Sequence, residues 1–388
     1  MYSDPLVAAI TEAEGLVAAA PHIETEADLL EGLQYLAQGA AACVHGAFHF
    51  DKDHPFLLSG TGPFTKMGLD NPDTLYFGAR VDGAHEYVVT GRRGTTCDIS
   101  FQVLGGGEYT DDNVPASTVA FDDRELTVDA DGRFEVRFGP GEPVPGSYYR
   151  LPPGKAQLVI REVFDDWAAE RSTFAIARAD TVGTAPPPVT PELMAKRYAA
   201  AGKQLVNRVK TWLQFPKWFY DPLPVNTLTA PRLTPGGLAT QFSSVGHYDL
   251  ADDQALIITI PRGDAPYLGF QLGSLWYISL DYIHHQTSLN GAQAQVDPDG
   301  MIRIVVAQND PGVTNWIETL GHRRGYLQFR WQRTASPLSA ADGPTAQVVP
   351  LADVAQHLPH YAANRIEGAA WRARIAERAR LIGERMVG

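Results

Sequence analysis

The stretch that decides the fold class is DADGRFEVRF, residues 129–138. Its last six residues alternate between apolar and charged side chains, with Phe134, Val136 and Phe138 on one face and Arg133, Glu135 and Arg137 on the other. Side chains point alternately to the two faces of a β-strand, so this pattern is typical of an antiparallel strand with one face in the core and one in water. Asp and Gly before the strand are residues that form tight turns. We therefore predict a half-buried strand entered through a hairpin turn.

Similar segments lie on both sides of this strand. The N-terminal candidates are TLYFGARV, EYVVT, CDISFQV, QLVIREV and STFAIAR, and the C-terminal candidates are QALIITI, YLGFQLG, LWYISLDYI, MIRIVVA and GYLQFRWQR. Turn residues separate them at intervals that are typical of a sandwich or a barrel. No sequence repeat is close enough to indicate a duplication, although a set of strands followed by a helix occurs twice.

Helix signals flank the strands. Thr25 is placed to cap a helix over the leucine-rich stretch that follows it, and Thr190 with Pro191 opens another helix after the linker TVGTAPPPVT. The sequence thus predicts a mainly β fold with flanking helices, in which a helix joins two antiparallel β-sandwich or jelly-roll-like domains. The expected divisions are an N-terminal helical segment (1–60), a first β domain (61–180), a linker and connecting helix (181–220), a second β domain (221–345) and a C-terminal helix (346–388).

Composition narrows the classes of partner. The 388 residues include 32 Lys and Arg against 45 Asp and Glu, which gives a net charge of −13. So acidic a surface disfavours nucleic acid and membrane partners, and we expect a small-molecule ligand or substrate and a possible homo-oligomer. Cys43 and Cys97 are too few for a disulfide framework, and the chain starts without a positively charged leader. These features favour a cytoplasmic location.

Several catalytic motifs are absent from the sequence. It contains no GxSxG, GxxxxGK[ST], HExxH or paired CxxC, and the glycine run GGGEY at 105–109 is weak evidence for phosphate binding. VHGAFHFDKDH, residues 44–54, places His45 and His49 one helical turn apart, which is a spacing that can chelate a metal. The spacing does not define a third ligand, so capping or surface histidines are the favoured interpretation. We predict no bound metal and no cofactor.

A first candidate constellation is GLDNPDTLYFGARV, residues 68–81. Asn71 and Asp73 belong to a turn, and Tyr76 and Arg80 share one face of the strand that follows. Arg80 could recognise a carboxylate or sulfate with two hydrogen bonds. For Asp73, hydrogen bonding to backbone amides of the turn is the favoured alternative.

A second constellation is LWYISLDYIHHQTSLN, residues 275–290. As a strand, this stretch would place Trp276 and His284 on one face and Tyr277 and Asp281 on the other. The last residue of the stretch is Asn290. Aromatic side chains with polar tips suit an apolar pocket with a few oriented donors. A core role for Trp276 and structural roles for the histidines remain open, because nothing in the sequence places a nucleophile beside them.

A third constellation is DPGVTNWIETLGHRRG, residues 310–325. We expect a turn at the border of the ligand pocket, shaped by Asn315 and Trp316, because Asn cannot exchange protons and Trp offers area and one donor. His322 is an acid–base candidate here, although a histidine between a turn and two arginines is more often a surface residue.

Taken together, these segments resemble bacterial proteins of the domain-of-unknown-function family numbered 1214, and the first half of the chain is similar to the partner family numbered 1254. The similarity spans most of residues 30–335. The resemblance implies a β-rich, two-part chain with supporting helices and implies no activity. The positions that match the motifs are Asn71, Asp73, Tyr76, Trp276, Ser288, Asn290, Asp310, Gly312, Asn315 and Trp316.

Two functions are compatible with these observations. The first is a cofactor-independent hydrolase or lyase for a small aromatic or polycyclic metabolite, in a pocket between the two β domains. In it, Asp281, His284 or His322 would transfer protons, and Tyr76 or Arg80 would orient the substrate. The second is a binding protein for an apolar or glycan-like molecule, with Trp276, Tyr277 and Trp316 as stacking surfaces. We prefer the enzyme, since two full domains with supporting helices exceed what simple binding requires.

Overall fold

The computed structural model describes residues 1–106, 110, 113–233 and 241–387, and the fold is mainly β with flanking helices. The chain divides into two compact units. The first unit comprises Met1–Gly68, Thr74–Val163 and Glu170–Phe215, and the second comprises Leu69–Asp73, Phe164–Ala169 and Pro216–Gly388. Two short segments from the N-terminal half therefore belong to the second unit.

The first unit is a sandwich of two four-stranded sheets. Its helices are α1 (Asp4–Ala18), α2 (Glu26–His49) and most of α3 (Pro191–Phe219), and its strands are β1 (Thr74–Asp82), β2 (Tyr87–Arg92), β3 (Asp98–Gly105), β4 (Ala116–Asp122), β5 (Arg133–Gly139), β6 (Tyr148–Arg150), β7 (Lys155–Val163) and β8 (Thr173–Arg178). The sheets have the strand orders β1-β7-β3-β4 and β6-β5-β2-β8. Apolar side chains from both sheets, among them Phe101, Ile160 and Val136, form one buried core. Burying such side chains stabilises a sandwich by about 1.5–3 kcal/mol each.

The second unit is also a sandwich. Its strands are β9 (Thr227–Leu228), β10 (Arg232–Leu233), β11 (Phe242–Asp249), β12 (Gln254–Pro261), β13 (Tyr267–Gly273), β14 (Ser288–Asn290), β15 (Met301–Ala307), β16 (Trp316–Glu318), β17 (Arg324–Gln332) and β18 (Thr345–Pro350), and its helices are α4 (Val354–His357), α5 (Tyr361–Asn364) and α6 (Gly368–Val387). The sheets have the orders β10-β11-β17-β13-β14 and β16-β15-β12-β18, and β9 pairs with β11. Its core includes Leu268, Ile304 and Phe329.

The two sandwiches have the same strand order. Adding ten to each strand number of the first unit reproduces both sheets of the second, apart from the short β9 and β10. Even the exceptional parallel pairs correspond, because β5 pairs with β6 and β15 with β16 in parallel. The duplication that the sequence does not reveal is therefore present in the topology.

Two local features repeat with the topology. The turns before β5 and β15 read VDADG and VDPDG, and their last residues Gly132 and Gly300 have φ of 79° and 78°. Glycine adopts this left-handed conformation without the Cβ clash of other residues. In addition, Arg161 on β7 donates to the Gln102 side chain on β3 at 2.7 Å, and Arg330 on β17 donates to the Gln271 side chain on β13.

Most predicted elements are confirmed. RFEVRF forms β5 with the expected alternation of buried and exposed residues, and Thr25 caps α2, where its Oγ1 accepts the Asp28 backbone N–H at 3.2 Å. The predicted strand LWYISLDYI is wrong. Residues 274–287 form a loop in which Tyr277 has a φ of 56°, and the Asp70 carboxylate holds Ser279 through its N–H and its hydroxyl. The residues of this loop are apolar because the loop is buried. A short apolar pattern in the sequence does not distinguish such a buried loop from a strand.

Candidate functional site

A buried carboxylate is the centre of a polar network in the second unit. Asp73, just before β1, accepts hydrogen bonds from Trp167 Nε1 at 2.6 Å, Tyr267 Oη at 2.8 Å and Asn290 Nδ2 at 3.1 Å. Asn71 donates to the same tyrosine oxygen at 2.8 Å. The structure thus brings together residues predicted from two separate motifs, Asn71 and Asp73 from the first constellation and Asn290 from the second. We call Asn71, Asp73, Trp167, Tyr267 and Asn290 the Asp73 network.

Burial dominates the electrostatics of this network. Asp73 and Tyr267 are 2% and 1% exposed. Removal from water raises the pKa of Asp73, although the hydrogen bonds from Tyr267 and Trp167 offset part of the shift. Burial likewise raises the pKa of Tyr267 well above its usual value. Groups this enclosed satisfy each other's hydrogen bonds and are shielded from proton exchange with a ligand in solvent.

Arginines from the C-terminal helix α6 reach the same network. The Arg378 guanidinium lies 4.5 Å from the Trp167 ring centre, and that of Arg385 lies 5.1 Å from the rings of Trp167 and Phe164. Arg385 also donates to the Pro72 carbonyl at 2.6 Å. Sequence inspection did not identify Trp167, Tyr267 or these arginines, because their contacts join residues far apart in the chain.

The first of two neighbouring histidine–carboxylate pairs joins Asp281 and His284. Asp281 Oδ2 lies 3.0 Å from His284 Nδ1, and Oδ1 of the same carboxylate accepts the backbone N–H groups of Ile283 and His284. Burial acts to raise the pKa of Asp281, but the hydrogen bonds outweigh it and the net shift is downward. The His284 side chain is 69% exposed. The two residues predicted to transfer protons are therefore in contact, and the imidazole is open to solvent.

The second pair is formed by the next residue. His285 Nδ1 lies 2.9 Å from Glu318 Oε2, and Glu318 Oε1 accepts the backbone N–H of Gln286 at 2.8 Å. Glu318 is 13% exposed and His285 is 42% exposed. Sequence inspection missed this pair because Glu318 is 33 residues away in the chain. In the sequence, the feature that pointed to His285 was its place beside His284 in a histidine dipeptide.

Other predicted residues have structural contacts. Asn315 donates its side-chain amide to the carbonyls of Gln295 and Arg303, and its Oδ1 accepts the Gln295 N–H. Trp316 donates to the Ala307 carbonyl at 2.9 Å and packs on Trp371 at 5.0 Å. Their predicted role at a pocket border stays a prediction.

The remaining candidates are distributed over both units. Trp276 and Tyr277 are buried in the 274–287 loop, at 2% and 5% exposure. His322 Nδ1 lies 2.9 Å from the Thr319 carbonyl. Tyr76 and Arg80 are half-buried on β1 of the first unit.

Metal-ligand groups are sparse in the described residues. His45 and His49 face each other on α2 with ring centres 5.1 Å apart. Among the residues that the structure describes, the group of three or more suitable side chains close enough to share an ion is Asp98, Asp122 and Asp123. Arg93 binds Asp123 at 2.6 Å, and Arg124 binds Asp122 at 2.6 Å, so arginines already neutralise two of these carboxylates. Residues 107–109 of the GGGEY run lie outside the described residues.

A small cavity lies between the sheets of the second unit. It has a volume of about 10 Å³ and is lined mostly by apolar side chains, including Leu268, Phe270 and Ile304, and by Asn290. This is room for a single water molecule at most. The cavity cannot hold a metabolite.

Fold and site together define a two-sandwich β protein with histidine–carboxylate pairs on its second sandwich. None of the protein-family models matches the chain, and none of the curated proteins does. Among solved structures, an uncharacterized protein from Burkholderia cenocepacia is 29% identical with a TM-score of 0.80, over 89% of this chain and 96% of that one. A protein from Vibrio parahaemolyticus is 12% identical with a TM-score of 0.44, over 87% of this chain and all of that one. The first similarity supports the fold and transfers no activity. In the described part of the chain, no helix combines the length and apolar character needed to cross a bilayer.

Proposed function

We propose that the protein is a cofactor-independent hydrolase or lyase, with His284 or His285 of the second unit as general base. The observation that carries the proposal is that two consecutive histidines each present Nδ1 to a carboxylate, at 3.0 and 2.9 Å, while their rings remain open to solvent. A carboxylate that accepts the Nδ1 proton selects the tautomer whose Nε2 carries the lone pair. Each ring is thus prepared to accept a proton.

The same base serves either reaction. In hydrolysis, Nε2 takes a proton from water as the water oxygen bonds to the carbonyl carbon, and the proton then passes to the leaving group. In elimination, Nε2 takes a proton from carbon, and the electron pair released forms a double bond as the leaving group departs. The carboxylate partner stabilises the imidazolium formed in both cases.

The burial of the aromatic candidates supports an enzyme over a glycan-binding protein. Trp276 is 2% exposed and Trp316 is 7% exposed, so neither offers the open ring face that a stacked ligand requires. A small aromatic or polycyclic substrate, membership of the 1214 and 1254 families and a cytoplasmic location remain parts of the proposal. Two cysteines without a disulfide, Cys43 and Cys97, support a reducing compartment.

The proposal can be tested with a panel of aromatic esters, lactones and β-substituted acids, with products identified by liquid chromatography and mass spectrometry. We expect turnover by the wild-type protein and a loss of about a hundredfold or more in His284→Ala or His285→Ala. The matching carboxylate variant, Asp281→Asn or Glu318→Gln, should lose less. Absence of turnover across the panel, or full turnover in both histidine variants with unchanged melting temperature, would contradict the proposal.

A further inference from the structure

Three arginines form one side of α6. Arg374, Arg378 and Arg385 are spaced by four and seven residues, which places them on the same side of an α-helix. We call them the arginine face. Arg378 and Arg385 are each 5% exposed, and Arg374 is half-buried, so solvent reaches the face at its N-terminal end.

The first two of these guanidiniums contact neutral acceptors. Arg378 donates to the Tyr282 carbonyl at 3.3 Å, Ser288 Oγ at 3.1 Å and Gln293 Oε1 at 3.4 Å, all long for a charged donor. Its Nε is buried and has no acceptor in the described part of the chain. Arg374 donates to Gln286 Oε1 at 2.5 Å and to the Gln293 carbonyl at 2.9 Å.

The nearby carboxylates are already engaged. Asp73 and Glu318 are the acidic groups whose attraction acts on Arg378, while Arg374 and Arg385 repel it. Asp73 accepts three side-chain hydrogen bonds, and Glu318 binds His285 and the Gln286 amide. Burial lowers the pKa of Arg378 to about 9, which still leaves it charged at neutral pH. A buried charge without a close counter-ion is costly unless a partner binds it.

We propose that the arginine face binds the anionic group of a small molecule, a carboxylate or a phosphate, at its solvent-accessible end, where Arg374 contacts the anion and the buried Arg378 adds positive charge behind it. The face contacts Tyr282, Gln286, Ser288 and Gln293, within the segment that carries His284 and His285. Anion binding goes beyond the proposed function, because it requires no catalysis. If both proposals hold, the substrate is an anion.

The experiment measures binding of two probes by calorimetry and by thermal shift, with ionic strength matched by sodium chloride. The probes are inorganic phosphate and benzoate, which separate a phosphate site from a carboxylate site. We expect saturable binding of at least one probe and a rise in melting temperature. Arg378→Gln should weaken binding at least tenfold. The control is Arg380→Gln on the same helix, an exposed arginine that pairs with Glu377 and Glu384 and should bind as the wild type does.

The outcomes distinguish an anion-binding site from a set of arginines that only stabilises the fold. No saturable binding of either probe by the wild type, or equal binding by Arg378→Gln, overturns the proposal. If Arg378→Gln does not fold, the half-buried Arg374→Gln decides in the same way. His284→Ala with His285→Ala should still bind the probe, so a failure of the proposed chemistry remains distinguishable from a failure of the anion site.

Discussion

The two sandwiches have the same strand order, yet two of their buried carboxylates, Glu162 in the first unit and Asp73 in the second, have different surroundings. In the first unit, Glu162 accepts hydrogen bonds from Thr96 Oγ1 at 3.1 Å and the Ser172 N–H at 2.6 Å, and its Oε2 has no partner among the described residues. In the second unit, Asp73 has three side-chain donors and arginines nearby. One strand order thus accommodates both environments, because strand pairing depends on the backbone and the apolar core. Function must be argued from the polar groups placed on that scaffold.

The repeated arginine–glutamine pair gives the largest expected difference between the units. Arg330 is 8% exposed and donates to Gln328 and to the Leu69 carbonyl as well as to Gln271, whereas Arg161 is half-buried. Arg330→Met leaves several buried acceptors unsatisfied and should lower the free energy of unfolding by about 3 kcal/mol. Arg161→Met should lower it by about 1 kcal/mol. Urea unfolding followed by circular dichroism measures both, and equal losses would show that the pairs are energetically equivalent.

The Asp73 network should be the next most sensitive feature. Tyr267→Phe removes the hydroxyl that donates to Asp73 and accepts from Asn71, so it should cost about 1–3 kcal/mol of unfolding free energy. The matched control is Tyr149→Phe in the first unit, whose hydroxyl donates to Glu125 at 3.0 Å in an exposed hydrogen bond and accepts the Gly146 N–H at 3.2 Å. Its cost should be about 0.5 kcal/mol. An equal loss of unfolding free energy in Tyr149→Phe and Tyr267→Phe would show that burial does not increase the contribution of the Tyr267 hydroxyl.

Glu162 should make the stability of the first unit decrease as the pH rises. Burial raises its pKa in the folded protein, so its protonated form is favoured there. The associated stability is complete below the unfolded pKa of about 4.3 and is lost as the pH rises through the folded value. Glu162→Gln should therefore be more stable than the wild type at pH 8, by about 1 kcal/mol, and no more stable at pH 4. A variant that is less stable at pH 8 would show that the carboxylate is needed in its charged form.

The two repeated turns should give the smallest effect and the closest agreement between units. Gly132 and Gly300 share a positive φ, and an added Cβ would meet no atom nearer than 3.4 Å at Gly132 and nothing within 4 Å at Gly300. Alanine at either position should thus cost about 0.5–1 kcal/mol through backbone strain alone. Thermal unfolding of both variants tests this. A difference of more than about 1 kcal/mol between them would break the equivalence of the turns.

Local patterns predicted most of the scaffold. RFEVRF and the Thr25 cap depend on periodicity and on bonds within four residues, and both are present as expected. The site depends on contacts that local patterns do not contain. Asp73 meets Trp167 and Tyr267 across 94 and 194 residues, and Arg385 reaches Pro72 across 313. The strand prediction within residues 274–287 is wrong because these residues are buried but have no regular backbone conformation.

The assignment of chemistry to the second unit is tested most directly by turnover in matched histidine variants. The first unit has its own looser pair, His85 and Asp180, with Nδ1 and Oδ2 3.8 Å apart. Once a substrate is found, His284→Ala combined with His285→Ala should lose about a hundredfold or more in turnover, the scale of general acid–base catalysis. His85→Ala should keep wild-type turnover. Loss in the His85 variant, or retention in the folded double variant, would contradict the assignment.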